Sequence, residues 1–208
     1  MSEIRISSVR EPLTNPYLAR AAVETLGRAA AMGLLPEDQV IETLDLASLR
    51  DLARHVGAVG VAPAAVAQLA GWKRGDARRL GSLLEAVSQA LAESPVPERE
   101  WGELLRVLGE PLLARLTGVS SSSLRRYVAG SRRTPDEVAL RLHHVALIVG
   151  HLAGSYNEYG IRRWFERRRS TLKGQAPADL LAGEWSPEAR GPAEVLVLAA
   201  QLVGAGAT

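Results

Sequence analysis

Eleven prolines and nineteen glycines are spread through 208 residues, and between them run stretches rich in Ala, Leu, Arg and Glu, all strong helix formers. Proline cannot continue a helix and glycine weakens one, so the chain is expected to fold into short helical pieces joined by tight turns. Asn15–Ala31 reads as a helix entered through Asn15-Pro16, with proline at the first helical position. Pro36 and Asp45 start two further pieces that end near Gly57, and Gly57–Pro63 reads as a loop. Ala64–Ala70, Gly71 and Asp76–Ala92 form a segment resembling a helix–turn–helix. Ser94-Pro95-Val96-Pro97, with two prolines in three residues, is the candidate linker. Glu98–Leu108, Leu112–Thr117 and Ser120–Ala129 follow as helices.

Thr134-Pro135-Asp136-Glu137 carries Thr as N-cap, Pro at the first position and Glu three after the cap, the pattern of a capping box. Val138, Leu142, Val145, Val149 and Leu152 continue it at helical spacing, and Gly154 stops it. Beyond lie Ser155–Arg169, a Gly/Pro loop, Ala178–Ala182, and a last helix opened by Gly191-Pro192. In that helix Val195, Leu196, Leu198, Ala199, Leu202 and Val203 make an apolar stripe. No period-2 alternation is long enough to predict a strand. The expected fold class is therefore all-α, with a helical N-terminal domain (1–94), a helix–turn–helix domain (98–154) and a small helical C-terminal domain (155–208).

Hydrophobic residues make up 47% of the chain, enough for a packed core, although only 4% are aromatic. The absence of cysteine excludes disulfide scaffolds, Cys-ligated zinc, iron–sulfur clusters and thiol catalysis. Residues 1–10 lack the apolar stretch of a signal peptide, and the apolar runs Val145–Val149 and Val195–Ala200 are too short to span a bilayer. A cytoplasmic protein without membrane contact is expected. The net charge of +2 is unevenly spread. Residues 121–170 hold ten basic side chains (Arg125, Arg126, Arg132, Arg133, Arg141, Arg162, Arg163, Arg167, Arg168, Arg169) against four acidic ones. A basic excess gathered in one window of a nearly neutral chain points to a polyanionic partner.

Leu113–Tyr127 (LARLTGVSSSSLRRY) has the spacing of a DNA-binding helix–turn–helix. Ala114 is small where two helices would cross closely, and Gly118, four later, supplies a left-handed turn. Val119 follows the turn, and Leu124 and Tyr127 anchor the second helix on the first. The serines cap and begin that second helix. In this register Ser120, Ser121, Ser122, Arg125 and Arg126 face base edges and phosphates. An ordinary helical hairpin with a Ser-rich turn would share the spacing, and the basic window weighs for DNA. The stretch Tyr127–Leu142 (YVAGSRRTPDEVALRL) resembles the Xre-type repressor family, in which a similar segment joins the recognition helix to the next one. That resemblance implies that Arg132 and Arg133 sit beside the DNA backbone and act on affinity rather than on sequence choice.

Val66–Leu80 (VAQLAGWKRGDARRL) aligns without gaps to Leu113–Tyr127 at an offset of 47, with Ala, Leu, Gly and the Arg-Arg pair coinciding. Lys73, Arg74, Arg78 and Arg79 are then second candidates for DNA contact. Gly75 inside the presumed recognition helix and the slightly acidic surroundings favour a packing or dimerisation module instead.

From Gly160 onward, Trp164-Phe165, Leu172-Lys173-Gly174, Pro177 and Leu180-Leu181 occur with the spacing of a Trp–aliphatic pair followed by Leu-x-Gly-x-x-Pro-x-x-Leu-Leu. With the amphipathic last helix, this resembles the toxin-binding domain of the Xre/MbcA/ParS antitoxin family over about residues 105–208. Where the family commonly has Pro-Asn, this chain has Arg168-Arg169. Gly174 is expected to end the Arg-rich helix and Pro177 to begin a short one. The resemblance implies that the last helix and the tail Gly204, Ala205, Gly206, Ala207 and Thr208 contact a RES-domain toxin, an NAD-consuming enzyme.

His143, His144 and His151 share a helix, but no carboxylate joins them at ligand spacing, so they read as structural or solvent-facing rather than metal-binding. The sequence holds no Gly-rich phosphate loop before a helix, no Gly-x-Ser-x-Gly elbow and no paired acidic cluster. Neither catalysis nor a cofactor is expected. The leading expectation is a homodimeric or higher homo-oligomeric DNA-binding antitoxin that neutralises a RES-type toxin and represses its own operon. The alternatives are a stand-alone helix–turn–helix regulator, whose C-terminal domain serves dimerisation or protein contacts, and a helical scaffold without nucleic acid.

Overall fold

The computed structural model describes residues 3–36, 40–73 and 75–205, most of them helical. The chain divides into two compact units, Met1–Ser94 and Pro95–Thr208.

In the first unit, strand β1 (Glu3–Val9) is followed by α1 (Pro16–Ala31), strand β2 (Val40–Leu44), α2 (Leu46–Ala58), α3 (Pro63–Ala70) and α4 (Ala77–Glu93). Asn15 starts α1 as its sequence predicts, its side chain accepting from the Tyr17 and Leu18 N–H groups with Pro16 in the first turn. Leu18, Ala22, Leu26 and Ala29 recur on one face and are fully buried, and α1 packs on α4. Asp45 and Ser48 cap α2 reciprocally, each side chain bonded to the other's backbone N–H.

The mostly helical fold agrees with the all-α expectation, and one small two-stranded sheet is added to it. β1 and β2 pair in parallel, Ile4 opposite Ile41 and Val9 opposite Leu44, with an irregularity between Ile4 and Ser8. The connection through α1 is the crossover that a parallel pair requires. Alternation is hidden because Ile4 and Ile6 are only half-buried, while β2 buries Ile41 and Leu44, three apart rather than two.

The second unit contains α5 (Pro97–Leu108), α6 (Glu110–Thr117), α7 (Ser121–Val128), α8 (Asp136–Leu152), α9 (Glu158–Glu166), a 3₁₀ turn (Ser170–Leu172), α10 (Pro177–Leu180) and α11 (Arg190–Ala205). Helix α8 is buried nearly all round, as its apolar sequence dictates, and α5, α6 and α11 pack on it. The three histidines lie in this interior. His143 Nδ1 is 2.6 Å from Glu100 Oε1, and His144 donates through Nε2 to the Pro192 carbonyl at 3.1 Å. The His144 ring also meets the Trp185 ring edge-on, and His151 is buried. Among the described residues no group of three or more His, Asp or Glu side chains could hold a metal.

Two local expectations change. Thr134 does not cap α8, which begins at Asp136 with Pro135 in the cap position and no side-chain cap bond. Its hydroxyl instead accepts the Trp101 indole N–H at 2.9 Å, because that buried donor needs an acceptor. The Arg-rich helix ends at Glu166, before Gly174. Arg167–Arg169 leave it as extended chain, and Gly174, at φ +81°, closes a turn in which its N–H bonds Arg169 O and the Arg169 N–H bonds Gln175 O.

Candidate nucleic-acid interface

Helices α6 and α7 meet through three residues. Gly118 stops α6 in the left-handed conformation at φ +69°, where a side chain is strained. The Val119 N–H then closes on Ala114 O at 3.1 Å, satisfying a carbonyl that the helix end leaves open. A Cβ at position 118 would also lie 2.1 Å from the Gly183 carbonyl oxygen, so backbone from the loop before α11 excludes any side chain there. Ser120 caps α7 by accepting the Ser123 N–H at 3.2 Å, and its hydroxyl lies 3.1 Å from that of Ser122.

One side of α7 is anchored. Leu124 and Tyr127 are buried with Leu113, Ala114 and Leu116 of α6. The Tyr127 ring stacks on Trp101 with centroids 5.4 Å apart and planes 18° from parallel. Ser121, Ser122, Arg125 and Arg126 are exposed on the opposite side, four positions that share a face at the 3.6 period. Arg132 and Arg133 are exposed in the loop after α7. All seven predicted DNA-contact residues, Ser120 included, thus lie together on the outer surface of α7 and its following loop.

Several of these side chains already have partners. Arg125 holds the Glu110 carboxylate with both arms of its fork, Nε to Oε2 at 3.1 Å and Nη2 to Oε1 at 2.8 Å. That hydrogen bond, more than any other influence, holds the Glu110 carboxyl below the usual carboxylate range despite desolvation, with help from the Ser121 hydroxyl and the Arg125 charge. The same bond raises Arg125. Arg126 Nε donates to Ser122 O at 3.3 Å. Arg132 sits over the Tyr127 ring at 5.4 Å. Arg133 and Asp136, 3.8 Å apart and 90% and 92% exposed, form a pair of little energetic weight. Glu110 escapes the sequence reading because it lies outside the 113–127 pattern, and only its place in the first turn of α6 marks it as a helix-start acid.

The basic window does not make one surface. Arg141 faces the interior of α8 and is buried. Arg162 donates to Val107 O at 2.8 Å. Arg163, Arg167 and Arg169 line a different cleft beside α9.

The second candidate set is less coherent. Lys73 lies in the connection after α3, Arg78 and Arg79 are exposed in the first turn of α4, and Arg79 bonds the Gln68 side chain at 3.2 Å. Arg74 lies outside the described residues. Of the tail, Gly204 and Ala205 are the last residues of α11, and Gly206, Ala207 and Thr208 lie outside the described residues. Trp164, Phe165, Leu172, Pro177 and Leu181 are buried, so the Trp–Phe and Leu-x-Gly-x-x-Pro pattern is made of residues that dock α9 and α10. Among the described residues no helix is long and apolar enough to cross a membrane.

No protein-family model, no curated protein and no solved structure matches this chain.

Proposed function

We propose that Pro95–Thr208 is a DNA-binding unit in which α7 is the recognition helix and Arg132 and Arg133 hold flanking phosphates. The observation that carries this reading is the exposed face of α7. Two serines and two arginines project from a short helix whose opposite side is fixed by Leu124, Tyr127 and Trp101, the arrangement that a major-groove reader needs. The protein acts as the antitoxin of a toxin–antitoxin pair, as a homodimer or higher homo-oligomer on double-stranded DNA. It covers a RES-type toxin with α11 and the tail from Gly204, and it represses its own operon. The support for the toxin role is the resemblance carried by Trp164-Phe165, Leu172-Lys173-Gly174, Pro177 and Leu180-Leu181. It requires neither a cofactor nor a catalytic centre.

Selection of bound duplexes from a random pool with the full chain tests the DNA reading, and enrichment of one motif is the expected result. Recovery of no motif at low salt would overturn it. Affinity capture of the native protein tests the toxin reading, with a stoichiometric enzyme expected after nuclease treatment. A second reading, a stand-alone regulator, is favoured by one observation. Met1–Ser94 is a compact unit of its own with a β1–α1–β2 crossover, and the resemblance to antitoxins does not extend to it. Recovery of the protein without an enzyme would select that reading.

A further inference from the structure

Three arginines of the basic window that lie away from α7 line a cleft of about 720 Å³ beside α9, within the range of sites that enclose small organic ligands. Its walls carry the guanidiniums of Arg163, Arg167 and Arg169 and the rings of Tyr156, Tyr159 and Trp164, with Glu166 as the carboxylate. Among the described residues none of these three guanidiniums is ion-paired. Three cations against one carboxylate leave the cleft a surplus of two positive charges.

The local chain builds this cleft firmly. Asn157 caps α9 by accepting the Gly160 N–H at 2.9 Å, and Gly160 leaves room for the Tyr156 ring, which a Cβ would approach to 3.0 Å. Phe165 is fully buried and meets Trp164 edge-on at 5.3 Å. Arg163 lies over Tyr159, 5.8 Å from the ring centre, with Nη1 3.4 Å from the phenol oxygen. Arg169 lies over Trp164 at 5.1 Å.

Two buried donors of this wall have no acceptor, the Trp164 indole N–H and the Arg169 Nε–H. Trp164 is only 2% exposed, and a buried donor left unsatisfied costs about 1–3 kcal/mol. Burial pushes Arg169 below its usual range, and the neighbouring Arg167 charge adds to this while Tyr156 opposes it. Donors and positive charge therefore outnumber acceptors and negative charge around the cleft, while the exposed Tyr159 ring offers an apolar plane.

We infer that the α9 cleft binds a small phosphorylated ligand of mononucleotide size. The phosphate is held by Arg163, Arg167 and Arg169 beside the Trp164 indole, and the planar group rests on Tyr159. A phosphate dianion matches the surplus of two charges and presents acceptor oxygens to the guanidinium donors that line the cleft. The inference does not depend on DNA binding by α7.

The test titrates the full ¹⁵N-labelled chain with AMP and, separately, with inorganic phosphate at constant ionic strength, following the indole N–H signals of its four tryptophans. Trp164→Phe identifies the Trp164 signal. The expected result is a saturable shift of that signal with AMP and weaker binding of inorganic phosphate. The Arg163→Ala/Arg167→Ala double variant, altered at two outward positions, should keep the other three indole signals and weaken AMP at least about tenfold, the loss of 1.4 kcal/mol or more. Any of three results would overturn the inference. These are no shift up to about 10 mM AMP, an equal shift in the double variant, or phosphate binding as tightly as AMP. A shift caused by a duplex of mixed sequence but not by AMP would assign the cleft to a nucleic-acid surface and would also overturn it.

Discussion

Helix pairs α3–α4 and α6–α7 both join consecutive helices after a glycine, and they stop their first helix differently. Gly71 ends α3 with ordinary right-handed geometry, φ −82°, and the chain runs on to Asp76 before α4 is capped. Gly118 is left-handed, reverses the chain at once, and places the Ser120 cap two residues later. The second helices differ accordingly. α4 buries Leu80, Leu83, Leu84, Val87 and Leu91 along its length and serves as the partner of α1. α7 is half as long, buries Leu124 and Tyr127, and leaves its other face to solvent. One glycine conformation thus separates a helix built into a core from a helix presented on a surface.

The largest expected effect comes from that conformation. Gly118→Ala forces a side chain into the left-handed region and against the Gly183 carbonyl, and the strain and overpacking together should cost about 2–5 kcal/mol. Gly71→Ala meets Ala67 O at 3.4 Å, an ordinary contact, and should change stability by no more than about 1 kcal/mol. Urea unfolding of both variants measures the contrast. Equal effects would mean that the two turns are equivalent despite their geometry.

The arginine pairs give the next contrast. Arg125→Ala with Arg126→Ala should weaken specific duplex binding by about 1–3 kcal/mol for each base-reading side chain lost. Arg78→Ala with Arg79→Ala, at the start of a core helix, should leave the preferred sequence unchanged. Fluorescence anisotropy on the selected duplex separates the two. Loss of specificity from the Arg78/Arg79 variant would restore a second reader.

How far these differences could be read in advance depends on the range of the interaction. Gaps and caps are local, so Asn15 before Pro16, Gly118 and the Ser120 cap were all visible in a few residues. The alignment of 66–80 with 113–127 matched letters and missed geometry, because Gly75 lies in the connection against the Trp72 ring, not in a helix. Thr134 departs from its capping pattern for the same reason, since its partner Trp101 stands 33 residues earlier. Arg141 looked like its basic neighbours and turned inward because α8 is surrounded. The parallel strands were invisible for want of alternation, each being too short and too unevenly buried. The α9 cleft combines residues spread over only fourteen positions, but its basic character was lost in the sum over the window.

A smaller effect probes what stands behind the second pair. Burial, the leading influence, holds His144 below its ordinary range, with His143 adding to this and the Pro192 carbonyl and Glu188 opposing it. The folded protein therefore keeps this imidazole neutral where the unfolded chain protonates it. The unfolded state binds more protons as pH falls through about 6.5, so stability should drop below that pH by at most about 1.4 kcal/mol per unit from this residue. His144→Gln should flatten the slope of urea midpoint against pH between 7 and 5. An unchanged slope would assign it to other groups.

The smallest effect is also the sharpest test of α7. Glu110 occupies the fork of Arg125, so a base or a phosphate would have to compete with an internal carboxylate, which among the described residues has no counterpart at Arg78 or Arg79 of α4. Glu110→Gln removes that competitor and one negative charge beside the exposed face of α7 while keeping the size of the side chain. Arg125 is exposed and Glu110 partly so, so folding stability should change little, as expected of a surface pair. Duplex affinity should rise by a few-fold at low salt, and the slope of log K against log salt should steepen by about one if the freed Arg125 takes a phosphate. Tighter binding with an unchanged slope would place the released guanidinium on a base instead, because base contacts release no condensed counterion. No gain in affinity would mean that Arg125 serves to fasten α7 to α6, and the reading face would reduce to Ser121, Ser122 and Arg126.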